Sequence, residues 1–168
     1  MIAIFSDTHS PRGHELEGEA LAAAREADVG VHAGDFTSVA ALEAFQDEVD
    51  TLFAVHGNAD SAAVRERLPT ERVVEAEGVR IALTHRPEGG ETGLAMLGRS
   101  KAADLVVFGH THRPTVVENG ELHLLNPGSH AQPRGHRPGF AVIAPTSEGF
   151  SGRILEPDGT LIEEFETA

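Results

Sequence analysis

The stretch IAIFSDTH, residues 2–9, joins a short apolar run to a cluster of polar residues. An apolar run of this kind is typical of a buried parallel strand. The chain then continues in alternation: a helix over 14–28, a strand over 29–35, a helix over 38–49 capped by Ser38, a strand over 51–58 and a helix over 61–68. This β-α-β-α-β order predicts a parallel sheet with helices packed on it.

The second half of the chain contains more strands than helices. A hairpin over 71–85 turns at Glu77-Gly78, and Asn119-Gly120 is a strong signal for a second hairpin. The other segments are a helix over 91–104 and strands over 105–110, 115–125, 139–145, 151–157 and 160–165. We therefore expect an α/β (α+β) fold with two stacked mixed sheets flanked by helices. No repeat or linker divides it, so one domain spans 1–168.

Composition limits the classes of function. With 13 basic and 27 acidic residues, the formal charge is −14, which argues against general nucleic-acid binding. No cysteine is present, so any metal ion must be held by nitrogen and oxygen atoms. No apolar run is long enough to cross a bilayer, and the first ten residues lack the pattern of a signal peptide. We expect a cytoplasmic protein without a membrane partner.

The charged residues are also unevenly chosen. Lys101 is the only lysine among the 13 basic residues. An acidic, lysine-poor surface predicts a halophilic protein, because concentrated salt screens the self-repulsion of such a surface. A genomic bias toward Ala, Gly and Arg codons is the alternative explanation.

Polar residues follow five of the predicted strands. These clusters are Asp7-Thr8-His9, Gly34-Asp35, Gly57-Asn58, Thr84-His85 and Gly109-His110-Thr111-His112. In an open α/β sheet, ligands bind outside the carboxyl ends of the strands. The five clusters are therefore expected to converge on one edge, although each alone is a common coincidence.

The converging side chains suit metal ions. Their carboxylate, imidazole and amide groups match divalent Mn, Fe, Co, Ni or Zn. Seven candidates are too many for one ion with an open position, but they suit two ions that share a bridging carboxylate: Asp7, His9, Asp35, Asn58, His85, His110 and His112. Two divalent ions, two carboxylates and one hydroxide leave a net charge of about +1, which would attract a phosphate group.

The order DTH, GD, GN, TH and GHTH resembles the calcineurin-like metallophosphoesterase superfamily, and most closely its small, single-domain phosphodiesterase branch. The resemblance spans residues 1 to about 140 and includes LLNPGS, at 124–129, which that branch often carries. It implies a four-layer αββα sandwich, with two stacked mixed sheets between helices.

The resemblance also implies a role for each residue. Asp7, His9, Asp35 and His112 would hold one ion, with Asp35 as the bridge, and Asn58, His85 and His110 would complete the second. Mn²⁺ is the leading candidate ion. The implied reaction is in-line attack on phosphorus by a metal-bridging hydroxide, with Asp35, Asn58 and His85 as catalytic residues. Asn58 would also donate a hydrogen bond to a phosphate oxygen.

Two positions depart from the family pattern. Ala59 stands where many members have a histidine that is proposed to protonate the leaving group, so good leaving groups should be favoured. Arg86 and Pro87 follow His85 where glycine is usual. Arg86 is a candidate for binding substrate phosphate, with an exposed position in solvent as the simpler alternative. His14 is a further candidate for contact with substrate.

Three functions remain open at this point. The first is a two-metal phosphodiesterase acting on a small phosphate ester. The second is a scaffold of the same fold with little or no catalysis, like a retromer subunit of eukaryotes. The third is a phosphomonoesterase that uses the same site. Every ligand position implied by the resemblance has a side chain able to bind a metal ion, which favours an enzyme over a scaffold. Any of the three functions is compatible with a homo-oligomer.

Overall fold

The strands and helices follow the predicted order. A computed structural model describes residues 1–167. The helices are α1 (Gly18–Glu26), α2 (Val39–Glu48), α3 (Ala62–Arg67) and α4 (Gly90–Ser100). The strands are β1 (Ile2–Phe5), β2 (Val29–His32), β3 (Leu52–Ala54), β4 (Glu71–Ala76), β5 (Val79–Thr84), β6 (Leu105–Val107), β7 (Thr115–Asn119), β8 (Leu122–Asn126), β9 (Phe140–Pro145), β10 (Phe150–Leu155) and β11 (Leu161–Glu166).

The strands form two mixed sheets. The six-stranded sheet has the order β11-β10-β9-β1-β2-β3, in which β1, β2 and β3 are parallel. The five-stranded sheet has the order β4-β5-β6-β8-β7, in which β5, β6 and β8 are parallel. Both hairpin turns predicted from the sequence are present, between β4 and β5 and between β7 and β8.

Three apolar clusters hold the layers together. One lies between the two sheets and includes Ile4, Val31, Ile81 and Leu125. A second packs α1, α2 and α3 on the six-stranded sheet, and a third packs α4 on the other. The burial of apolar side chains on both faces of each sheet gives four layers, αββα, and confirms the expected fold class.

Some local expectations were wrong. The first helix begins at Gly18 rather than at 14, because Glu15 has a left-handed backbone and the His14 ring accepts the N–H of Leu16. The pattern of leucines around His123 predicted a surface position for this histidine. His123 is instead buried and stacks on Phe165, because Leu122 and Leu124 face α4 and direct His123 toward the other sheet.

The topology brings the polar clusters together. The loops after β1, β2, β3, β5 and β6 all leave the carboxyl ends of parallel strands, at one end of the sandwich. Within residues 1–167, no helix has the length and apolar character needed to cross a membrane.

Candidate metal centre

The loops that carry the candidate ligands are joined by backbone hydrogen bonds. The N–H of Asp7 donates to Gly34 O at 2.9 Å, and the N–H of His9 donates to Asp35 O at 3.0 Å. On the other sheet, the N–H of Gly109 donates to His85 O at 2.9 Å. Because these bonds connect ligand-bearing loops directly, the relative positions of the side chains are set by the backbone.

We call the residues Asp7, His9 and His112 the closed half of the centre. Nε2 of His112 lies 3.3 Å from Oδ1 of Asp7, and Nε2 of His9 lies 3.8 Å from the same oxygen. Asp7 and His112 are almost fully buried, and the His9 side chain is 11% exposed. These three ligand atoms, which lie within 4.8 Å of one another, form no hydrogen bonds. Buried polar atoms without partners are rare, so their convergence fits a bound cation.

We call the residues Asn58, His85 and His110 the open half. Oδ1 of Asn58 lies 3.1 Å from Nε2 of His85 and 2.9 Å from Nδ1 of His110. His85 is buried, whereas Asn58 is exposed and His110 is partly exposed. The open half therefore has the same kinds of donor atom as the closed half, but it faces solvent.

Asp35 lies between the two halves. Its Oδ2 is 3.2 Å from Nε2 of His9 and 3.2 Å from Nε2 of His85. Its Oδ1 accepts the N–H of Ala59 at 2.8 Å, which fixes the orientation of the carboxylate. Oδ2 is thus the atom placed to serve both halves. Asp7 also contributes to both, since Asp7, Asp35 and His85 form a second cluster of ligand atoms.

Backbone carbonyl groups orient the rings of two histidines of the centre. Nδ1 of His85 pairs with Ala33 O at 2.7 Å, and Nδ1 of His112 pairs with Gln132 O. A carbonyl oxygen can only accept, so Nδ1 carries a proton in both rings, and in the neutral form of each ring the lone pair of Nε2 faces the centre. This arrangement, in which the second nitrogen is held by a carbonyl, is usual for metal-binding histidine.

Neighbouring charged groups shift the pKa values of His9 and Asp35 in the centre. Burial acts to lower the pKa of His9, but Asp35 and Asp7 outweigh it and raise that pKa to about 9. Burial would raise the pKa of Asp35, yet the side chains of His85 and His9, each with its Nε2 3.2 Å from Oδ2, hold it far below its usual range. The two carboxylates thus favour positive charge beside them, which is the environment that divalent cations require.

His110 and His112 differ from His9. Burial lowers the pKa of His110, and the nearby positive charges of His85 and Arg86 lower it further. Burial also lowers the pKa of His112, although the hydrogen bond to Gln132 opposes the change. Both rings therefore favour the neutral form, which is the form that binds metal ions.

The backbone at the ligands is held in an unusual conformation. Five of the seven candidate ligands have φ between 44° and 73°, in the left-handed region: Asp7, His9, Asp35, His110 and His112. Such a residue costs about 1–3 kcal/mol and persists only where its surroundings enforce it. These five residues lie together at the end of the sandwich that carries the candidate ligands, where the surrounding structure must enforce their conformation.

Two glycines allow the loops to approach the carboxylates. A Cβ atom at Gly57 would collide with Oδ1 of Asp35, and one at Gly109 would collide with Ser6 and Asp7. The glycine before each of the ligands Asn58 and His110 is therefore required by close packing.

The residues that brace these loops were not predicted from the sequence. The buried carboxylate of Asp60 accepts three backbone N–H groups, from Asp35 at 3.0 Å, Gly57 at 2.7 Å and Thr37 at 2.7 Å. It therefore ties the loop of Asp35 to the loop of Asn58. The spacing of Asp60, two residues after Asn58, was a signal that could have identified it.

The segment LLNPGS braces the other loops. Asn126 donates to Gly109 O at 3.1 Å and to Oγ1 of Thr111 at 2.9 Å. The Ser129 hydroxyl donates to Asp7 O at 2.6 Å. Both side chains are fully buried, so this segment holds the first and last ligand loops in position without contributing a ligand.

The two remaining candidates have different positions. His14 is not brought to the centre: its Nε2 lies 3.2 Å from Oε1 of Glu48, and its ring packs against Phe45. Arg86 is exposed and lines a cavity that also includes Asn58 and His85.

A four-layer sandwich with these donor groups at one end is the architecture of a metallophosphoesterase. Residues 1–149 match the calcineurin-like phosphoesterase superfamily domain, and the chain belongs to this family. A probable metallophosphoesterase of Methanothermobacter thermautotrophicus is 35% identical over 162 residues, covering 92% of this chain and 91% of the relative. The phosphodiesterase YfcE of Escherichia coli is 33% identical over 102 residues, covering 57% of this chain and 53% of YfcE.

Solved structures of Vps29 from Entamoeba histolytica have the same fold. A single mutant superposes with a TM-score of 0.81 at 20% identity, covering 99% of both chains. The wild-type protein complexed with Zn²⁺ has a TM-score of 0.79 at 21% identity, covering 98% of this chain and 97% of Vps29. At this identity, the likeness concerns the fold alone. The names of the sequence relatives support a phosphoesterase hydrolase in general.

Proposed function

We propose that the protein is a phosphodiesterase that depends on two divalent metal ions. The observation that carries this proposal is the position of Asp35 Oδ2, which lies 3.2 Å from a histidine of each half. One carboxylate oxygen between two sets of nitrogen and oxygen donors is the arrangement that a pair of metal ions needs.

Asp7, His9, Asp35 and His112 would hold one ion, and Asn58, His85 and His110, with Asp35, would hold the other. When bound, the ions supply an activated water for attack on phosphorus and neutralise charge on the phosphoryl oxygens. We propose Mn²⁺ as the native ion, because mixed carboxylate, amide and imidazole donors suit it, although they also suit Fe, Co, Ni and Zn.

The chain's own residues orient the substrate. Oδ1 of Asn58 faces two histidines, which leaves its Nδ2 group to donate a hydrogen bond to a phosphate oxygen. Ala59 follows it, so this position offers no proton donor for the leaving group. Esters with leaving groups of low pKa should therefore react fastest.

A scaffold without catalysis is the second candidate, because the structural likeness to Vps29 extends over the whole of both chains. Against it, all seven positions keep side chains able to bind a metal ion. A phosphomonoesterase would use the same donors and differ only in which ester it accepts.

The test begins with protein stripped of metal by chelation and then titrated with Mn²⁺ by calorimetry. We expect two ions per chain and turnover that appears only when both are bound. Hydrolysis of bis(p-nitrophenyl) phosphate is compared with that of p-nitrophenyl phosphate. A faster diester reaction supports the proposal, and a faster monoester reaction would replace it with a monoesterase. Two bound ions without turnover of either ester would support the scaffold.

A further inference from the structure

A cavity of about 600 Å³ opens beside the open half of the metal centre. Its lining includes Asn58 and His85 of the open half and Leu94 and Leu97 of α4. A space of this size is typical of pockets that bind small organic ligands, and it is much larger than a phosphate group needs. Because Asn58 and His85 belong both to the metal centre and to the lining, a phosphate held at the centre would lie beside the cavity, and one ester arm of the substrate can occupy the space.

Arg86 is an arginine at this cavity that is free to bind a ligand. Its side chain is exposed and lines the cavity, and its guanidinium forms no ion pair or hydrogen bond with another side chain or backbone group among residues 1–167. Arg65 also lines the cavity, but its Nη2 donates to Asn58 O at 2.5 Å. In a chain with a net charge of −14, an unpaired arginine next to a metal ligand favours an anionic group in the cavity.

Two carboxylates also line the cavity. Glu71 faces Nζ of Lys101 at 3.6 Å, so its charge is balanced. Glu88, two residues after Arg86, has no such partner within the described residues and opposes an anion there. Arg86 and Glu88 therefore act on a charged ligand in opposite directions.

We propose that this cavity binds one arm of the phosphodiester, and that the arm is bulky and carries a second anionic group held by Arg86. The apolar side chains of α4 would contact the body of the arm, and the guanidinium would bind the anion with two parallel hydrogen bonds. This inference rests on the proposed phosphodiesterase activity and names the class of diester on which it acts.

The test uses three diesters with the same p-nitrophenolate leaving group. Their other arm is methyl, thymidine, or thymidine with an additional phosphate. We expect kcat/KM of the Mn²⁺-loaded enzyme to rise in that order. Arg86→Gln should lower the preference for the phosphorylated over the plain thymidine arm roughly tenfold. Glu88→Gln should raise that preference roughly two- to threefold. Arg153→Gln, which removes a distant exposed charge, should leave it unchanged.

A binding measurement supplies a readout that does not depend on turnover. Calorimetry should show that thymidine with two phosphates binds the Mn²⁺-loaded protein more tightly than thymidine with one, and that Arg86→Gln removes the difference. Equal kcat/KM for all three diesters, or an unchanged preference in Arg86→Gln, would overturn the inference while leaving the phosphodiesterase proposal intact. Absence of turnover with every diester would refute the proposed function, and equal binding of the two thymidine phosphates would then refute the pocket as well.

Discussion

The two halves of the metal centre contain similar donor atoms but have very different surroundings. In the closed half, Asp7 and His112 are almost fully buried, and Ser129 and Gln132 bind them from behind. In the open half, Asn58 is exposed and His110 is partly exposed, and Asn58 and His85 line a cavity of about 600 Å³. Under the proposed function, this difference predicts that the closed half would fix an ion and the open half would admit the substrate.

The backbone supports the same division. Asp7, His9 and His112 all have left-handed φ values, and hydrogen bonds connect their loops to the loop of Asp35 and to the segment LLNPGS. In the open half, Asn58 and His85 have no such strain, and His110 is the only strained ligand. Strained residues persist where the surrounding structure over-determines them, so the closed half should be the more rigid one.

The largest effect should come from the residue between the halves. Asp35→Asn removes the charge from Oδ2, the atom 3.2 Å from both His9 and His85. We expect phosphodiester turnover to fall roughly 10³-fold, because both ions lose a shared ligand. Steady-state kinetics with saturating Mn²⁺ and calorimetric counting of bound ions check this prediction.

Asp47→Asn is the matched control, because it makes the same chemical change on the exposed face of α2. It should leave turnover and the number of bound ions unchanged. If Asp35→Asn still binds two ions with wild-type affinity, Asp35 is not the bridge. The two halves of the centre would then not share this carboxylate.

The comparison also explains what the sequence could predict. The candidate ligands follow apolar segments that predict strands. Because parallel strands place their carboxyl ends at one edge of a sheet, the sequence could predict that these seven residues lie close together. The layers could be predicted as well, because each strand and helix carries its own periodicity of apolar residues.

Other features depend on contacts between distant parts of the chain. The hydrogen bond from Ser129 to Asp7 O joins residues separated by 122 positions, and it leaves no local pattern. Similarly, the Pro157 carbonyl accepts the N–H of Glu19 at 2.8 Å at the start of α1, so this end of the helix is set from outside its own segment. The sequence makes His14 a candidate for contact with substrate, yet its loop turns the ring toward Glu48.

A second prediction concerns the core behind the closed half. The ring of His130 packs edge-on against Phe5 and Phe45, and its Nε2 pairs with His14 O at 2.7 Å. Burial lowers the pKa of His130 from 6.5 to about 4, although the bond to His14 O opposes the shift. Between these pH values the unfolded chain binds a proton that the folded chain does not, so the free energy of unfolding falls on acidification. The expected loss is about 3 kcal/mol.

His130→Gln should remove this loss, because glutamine does not titrate. We expect the metal-free variant to lose about 3 kcal/mol less stability than the wild type between pH 7 and pH 4, as measured by urea unfolding at several pH values. His136→Gln, at an exposed histidine, serves as the control. If the free energy of unfolding of His130→Gln and of the wild type changes with pH by the same amount, this histidine is not kept neutral in the folded protein.

The smallest expected effect is the most direct test of the difference between the halves. His112→Gln and His110→Gln each remove one imidazole, from the closed and the open half respectively. His112 is almost fully buried, so solvent has little access to the position of its Nε2, whereas His110 is partly exposed and lies beside Asn58. We therefore expect the affinity of one Mn²⁺ ion to fall about 100-fold in His112→Gln and about tenfold in His110→Gln.

Calorimetric titration of the metal-stripped variants with Mn²⁺ measures this difference, and thermal melting of the same samples shows whether each variant is folded. If the two variants lose equal affinity, burial does not distinguish the halves. If His110→Gln loses more, the order is reversed, and the ion nearest the cavity is the one held more firmly. That result would contradict the prediction that the buried half holds its ion more firmly than the half that faces solvent.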